Sequence, residues 1–133
     1  MQVVIFKLGD EQIAVETAKV QGINDMMEIT KVPNAPSHIK GLINLRGNVI
    51  SLLDINLLLN ISKGEDHKHS NIIILKMEDE QIGITVDEVD EVLEIEEETL
   101  EKVDDSSKAY IKGIINFKTR VVTLIDIDKL FVN

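Results

Sequence analysis

At 133 residues the chain has the length of one domain, enough to bury roughly two-thirds of the surface its unfolded form exposes, whereas half that length would be marginal alone. With 44% apolar but 3% aromatic residues, the core must be built from Ile, Val and Leu, which favours strands, and the lack of cysteine excludes a disulfide framework, thiolate metal sites and cysteine catalysis. The net charge of −10 is uneven, with residues 78–105 holding 14 of the 24 acidic side chains and one lysine; such a chain repels polyanions, so nucleic acid is not an expected partner.

The N-terminus shows no basic leader before an apolar run, and no segment approaches the roughly 20 apolar residues that span a bilayer, so a cytoplasmic chain without direct membrane insertion is expected. VVIFKL, a polar GDEQ turn and IAVE read as a β-hairpin. Pro33 and Pro36 bracket PNAP, which suits neither a helix nor a central strand and so connects into the next hairpin. There GLINL and VISLLDI flank Arg46-Gly47-Asn48, and Gly47 supplies the positive φ that tight hairpin turns need. Asp54 ends that strand and suits the N-cap of about one helical turn over INLLL. Residues 62–70, SKGEDHKHS, lack periodicity and read as a surface linker.

A second hairpin follows as NIIILKM, EDEQ and IGITV, and its uninterrupted IIIL points to burial on both faces. The acidic VDEVDEVLEIEEETLEKVDD alternates partly as a strand, with Leu93 and Ile95 inward and Glu94 and Glu96 on a solvated face. The last hairpin turns at Lys118-Thr119-Arg120, which has no glycine and so must differ in shape from its earlier counterpart, before Asp126 precedes IDKLF.

Much of the chain occurs twice. Residues 38–59 return as residues 110–131 at an offset of 72, with ten of twenty-two positions identical, and IFKLGDEQIAV from Ile5 returns as ILKMEDEQIGI from Ile74 at an offset of 69. Two blocks in the same order are what a duplicated structural unit leaves behind, and halves this small must share apolar surface. Four or five strands per half with short connections, and no stretch able to supply crossover helices, predict an all-β fold of two small barrels or sheets, with barrels preferred over a sandwich because closure removes edge strands.

Candidate chemistry is sparse. Asp54 and Asp126 offer a carboxylate pair for acid and base work, yet each half has its own copy, so an architectural role such as capping explains them better; the same holds for Asn44 and Asn116. His67 and His69, beside Glu65 and Asp66, are of ligand type but have no third ligand fixed nearby, and a solvated linker is the preferred reading. A metal-dependent hydrolase would need Asp54, Asp126 and both histidines to converge on one cleft. With none of the common catalytic motifs present, neither an enzyme nor a cofactor is expected. His38 and Tyr110 are counterparts, which suggests a packing position. The halves diverge most clearly at Arg46-Gly47-Asn48 against Lys118-Thr119-Arg120, where an arginine beside a glycine turn can offer its planar fork to a carboxylate of a partner or of its own chain.

KVQGI at 19–23, NAPSHIKGLINLRGNVISLLDI at 34–55 and GITVDEV at 83–89, followed by the closing LIDIDKL, resemble the CheW family of bacterial chemotaxis coupling proteins along nearly the whole chain. The resemblance implies two five-stranded SH3-like barrels packed about a shared hydrophobic core, with residues 1–133 forming one domain of two intertwined subdomains. It implies a non-enzymatic adaptor that bridges the cytoplasmic tips of chemoreceptors (methyl-accepting chemotaxis proteins) to the regulatory domain of the histidine kinase CheA, recruited through receptors to the inner face of the cell membrane. A related coupling module of another sensory pathway, motility or developmental, fits the same residues. In the family a groove between the barrels takes the receptor's helical hairpin, and Val20, Gly41, Arg46, Gly47 and Val89 match its receptor-binding positions. No short motif identifies the kinase-facing residues. Gly22 departs from the pattern, since many relatives carry there an acidic residue that pairs with the arginine matching Arg46; Glu28 or a receptor carboxylate is the expected substitute.

Overall fold

A computed structural model describes residues 1–61, 69–103 and 108–131. Among these residues the order is β1 (Gln2–Leu8), β2 (Glu11–Glu16), β3 (Val20–Asp25), β4 (Ile39–Leu45), β5 (Asn48–Leu53), α1 (Ile55–Leu59), β6 (Asn71–Lys76), β7 (Gln81–Val86), β8 (Glu88–Glu94), β9 (Ile111–Asn116), β10 (Val121–Ile125) and α2 (Ile127–Leu130). The strands form two five-stranded sheets, ordered β8-β1-β2-β10-β9 and β3-β6-β7-β5-β4. This is the all-β, SH3-like architecture expected. Neither sequence half makes its own sheet: each sheet joins the β-hairpin of one half to three strands of the other. Each hairpin is joined on one side by a parallel pair, β10 on β2 through Thr123↔Ile13 and β5 on β7 through Leu52↔Gly83, and on the other by an antiparallel pair, β8 on β1 and β3 on β6.

Strand alternation explains why both faces of the central hairpins are apolar. Along β6, Ile73 and Leu75 enter a core shared between the sheets, where they meet Val4, Phe6 and Leu8 of β1. Ile72 and Ile74 point the other way, into a core with Ile43, Ile50 and Leu52 that belongs to their own sheet. β1 repeats the arrangement, its Val3 and Ile5 packing with Ala14, Val122 and Leu124. Successive side chains of a strand point to opposite faces, so a strand with a core on each side reads as an unbroken apolar run. All four residues of IIIL are buried accordingly.

The repeated aspartates cap the two short helices. Asp54 Oδ1 accepts from Leu57 N at 3.2 Å, and Asp126 Oδ1 accepts from Asp128 N at 3.0 Å and Lys129 N at 3.4 Å. Their own amides donate to His38 O and Tyr110 O, each at 2.7 Å, so His38 and Tyr110 do hold equivalent places.

His69, read as part of a solvated linker, is half-buried as a residue, with its side chain only 5% exposed. Lys40 Nζ lies 2.8 Å from its Nδ1, while Nε2 lies 3.2 Å from Asn56 Oδ1 and 3.7 Å from Asp87 Oδ1. An ammonium only donates, so Nδ1 is the acceptor and the proton sits on Nε2, facing Asn56 and Asp87. Polar partners well apart in sequence supply the burial, and local composition does not reveal them. Residues 62–68 of the predicted linker, including Glu65, Asp66 and His67, lie outside the described residues.

Candidate functional site

Of the five residues that match receptor-binding positions, two are symmetry counterparts. Val20 pairs with Leu75 at the start of β3, and Val89 pairs with Phe6 in β8; both are half-buried against the shared core. Each is followed by a bulge, leaving Gln21 and Asp90 without a directly opposed partner. Lys19, beside Val20, bonds Asp128 at 2.5 Å, and this hydrogen bond raises its pKa above the ordinary lysine value.

Arg46 and Gly47 alone make the β4–β5 turn, since Leu45 already pairs with Asn48. Both have positive φ, 53° and 86°, and the turn is closed by a 3.0 Å bond from Gly47 N to Asn44 Oδ1. Two positive φ values belong to the primed turns that match strand twist. The second-half turn lacks this feature, as its sequence predicts. It closes instead through Phe117 N to Arg120 O at 2.9 Å.

Gly41 lies elsewhere. It is buried, with φ 154°, and a Cβ there would sit 2.4 Å from Thr30 O and 2.7 Å from Ile29 Cγ2. It lets the segment before β4 bridge onto that strand through Thr30↔Leu42. Gly113 is its counterpart, a Cβ there meeting Leu100 Cγ at 2.5 Å, which fits a packing requirement imposed twice.

Arg46 borders a surface cavity of about 250 Å³, whose other walls include Gln21, Gly22, Asn24, Asn48 and Gln81. The Gln81 side-chain amide donates to Gln21. Gly22 and Arg46 thus line the same cavity, and Gly22 carries no carboxylate to pair with the arginine. Arg46 makes no hydrogen bond or ion pair among the described residues, and Glu28 does not replace the missing acid.

The other sheet holds the same place in another state. Gln12, Asp90 and Glu91 are the counterparts of Gln81, Gln21 and Gly22 at an offset of 69. All three bind Arg120: Nη1 lies 2.6 Å from Asp90 Oδ2 and 3.2 Å from Gln12 Oε1, and Nη2 pairs with Glu91. The guanidinium also lies 5.2 Å from the centre of the Phe117 ring. The acid–arginine pair missing beside Arg46 is therefore present on the second copy. The dipeptide Asp90-Glu91 after Val89, at the place of Gln21-Gly22 after Val20, is the sequence signal that could have found it.

Among the described residues no group of three or more His, Cys, Asp or Glu side chains is arranged to hold a metal ion, and no helix is long and apolar enough to cross a membrane. The CheW-like domain family model matches residues 2–133, and the chain belongs to that family, one of chemotaxis scaffolds or adaptors and not a known family of enzymes. It is 30% identical over 131 residues to the chemotaxis protein CheW of Thermotoga maritima, covering 97% of this chain and 86% of that one. It is 25% identical over 134 residues to the CheW of Rhizobium meliloti, covering 98% and 86%. The crystal structure of the scaffolding protein TtCheW from Thermoanaerobacter tengcongensis superposes with a TM-score of 0.88 at 30% identity, over 99% of this chain and 88% of that one.

Proposed function

We propose that the chain is a cytoplasmic adaptor that couples chemoreceptors to the histidine kinase CheA, acting as one domain and reaching the inner face of the membrane only through its receptors. The observation that carries this reading is the CheW-like match across residues 2–133. An adaptor of this kind transmits state by differential affinity, so it needs surfaces and no reacting groups. Receptor contact is assigned to Val20, Arg46, Gly47 and Val89, while buried Gly41 contributes by shaping β4.

Calorimetric titration with the regulatory domain of CheA from the same cells tests the proposal. Saturable binding is expected for the wild type, and Arg46→Ala and Val20→Asp are expected to keep it while losing recruitment of receptor fragments. A folded wild type that fails to bind the kinase domain would remove the coupling role.

A further inference from the structure

The chain crosses between the sheets at two repeat-related places, from β2 to β3 through residues 17–19 and from β7 to β8 through Asp87. At an offset of 69 Asp87 is the counterpart of Ala18 and Glu78 that of Gly9, and at an offset of 72 Asp128 is the counterpart of Asn56. The first crossing borders an open cavity of about 920 Å³, with Ala18, Met77, Glu78 and Phe131 on its walls. Its side-chain ties lie at the surface: Thr17 Oγ1 donates to Gln2 Oε1 at 3.1 Å, and Lys19 pairs with Asp128, their side chains 37% and 48% exposed. Exposed pairs of this kind hold weakly. The second crossing is fastened from both sheets. Asp87 N donates to Lys7 O at 3.0 Å and Asp87 Oδ2 accepts from Gly9 N at 2.6 Å, both in the β1–β2 hairpin. Asp87 Oδ1 lies 3.7 Å from Nε2 of His69, just before β6 of the other sheet, and that ring is itself held by Lys40 of β4 and Asn56 of α1. His69 falls between the repeat blocks and so has no counterpart at the first crossing, where Ala18 has no carboxylate to offer in any case.

We propose that His69 is an internal plug that locks one of the two crossings, so that the protein meets a partner with a fixed face at Val89, just after Asp87, and an adjustable one at Val20, just after Lys19. The lock acts through Asp87. The ring cannot leave its seat without breaking its bonds to both Lys40 and Asn56, and while it stays the carboxylate is backed on its Oδ1 side and keeps Oδ2 on the Gly9 amide. Only local motion of residues 17–20 is involved, since the shared core beneath both crossings stays packed. Identifying the partner as a chemoreceptor tip rests on the adaptor reading; the inequality of the crossings does not.

Amide hydrogen exchange, followed by NMR, reads both crossings in one sample. In the wild type the amides of Asp87 and Gly9 should be protected at least about tenfold more than that of Val20, which is bonded to Thr17 O. In His69→Ala, exchange at Asp87 and Gly9 should quicken about ten- to a hundredfold and separate from that of Ile73 and Leu75 in the core strand β6, while Val20 keeps its rate. Equal protection of the two crossings in the wild type would overturn the proposal, whether or not the variant folds. So would a variant in which Asp87 and Gly9 quicken only in step with Ile73 and Leu75, because His69 would then serve the stability of the whole domain and lock nothing in particular. Adding a helical-hairpin fragment from the tip of a chemoreceptor of the same cells should slow exchange at Val20 and leave Asp87 and Gly9 as they were; equal slowing at both crossings would overturn the division into fixed and adjustable faces. A wild type that does not bind the fragment at all would overturn the adaptor reading and the receptor as partner, with the partner-free exchange rates alone then deciding the role of His69.

Discussion

A methyl group on Gly41 would meet the Thr30 carbonyl oxygen at 2.4 Å, whereas one on Gly47 would meet nothing within 4 Å. The two glycines therefore have different duties, although both match receptor-binding positions. Gly41→Ala combines a clash with backbone, which cannot rotate away, and a φ that side chains resist; it should lower the unfolding free energy by about 2–4 kcal/mol. Gly47→Ala faces only the φ of 86°, and should cost about 1 kcal/mol. Urea titrations followed by circular dichroism would compare them, and equal losses would contradict the assignment. The turn glycine was legible because a positive φ between paired strands is a local need. The buried one was not, because the strand-like segment at Thr30 that crowds it has no alternating apolar pattern of its own. His69 was misread for a similar reason, its burial depending on Lys40, Asn56 and Asp87.

Between elements, the Arg120 brace ties the β9–β10 turn to β8 and β2 at once. The Arg120 side chain is 23% exposed and has two carboxylates, so salt should screen the contact only in part. Arg120→Gln should cost about 1 kcal/mol at low ionic strength, and the difference from wild type should shrink in high salt; a loss independent of salt would mean that packing on Phe117 dominates. The helix caps make a second comparison. Asp54→Ala should cost about 1 kcal/mol while Asp54→Asn, which retains a capping oxygen, should cost little, with thermal melts as the readout. A similar loss for both variants would show that the charge of Asp54 matters beyond its bond to Leu57 N. Capping was readable because Asp at the end of each repeat block is a local signal. The brace was not, since its partners are a turn, a bulge and a hairpin brought together only by the sheet.

For the whole molecule, the repeat alone leaves open which half supplies which strand. If each half folded on its own sheet, or if the halves exchanged hairpins, the same residues would be strands and the same faces apolar; periodicity does not distinguish these arrangements, and intertwining was implied only by the family resemblance. The exchange seen here, sealed by the parallel pairs β2–β10 and β5–β7, makes every sheet depend on both halves. A fragment of residues 1–61 would contain β1–β2 without their sheet partners and β3–β5 without the hairpin that joins β3 to β5. It would also expose Phe6 and Val4 on one strand pair and Ile50 and Leu52 on another, with half of each core missing. The complementary fragment fails in the same way. Each fragment alone should therefore lack native β circular dichroism, while mixing the two should restore it as a one-to-one complex of defined size by sedimentation. The intact chain should unfold in one cooperative transition, because the shared core cannot open on one side and stay closed on the other. A native-like spectrum from either fragment alone would mean that its half can complete a sheet without the other, and the parallel joins would then be a late addition to a fold that stands without them.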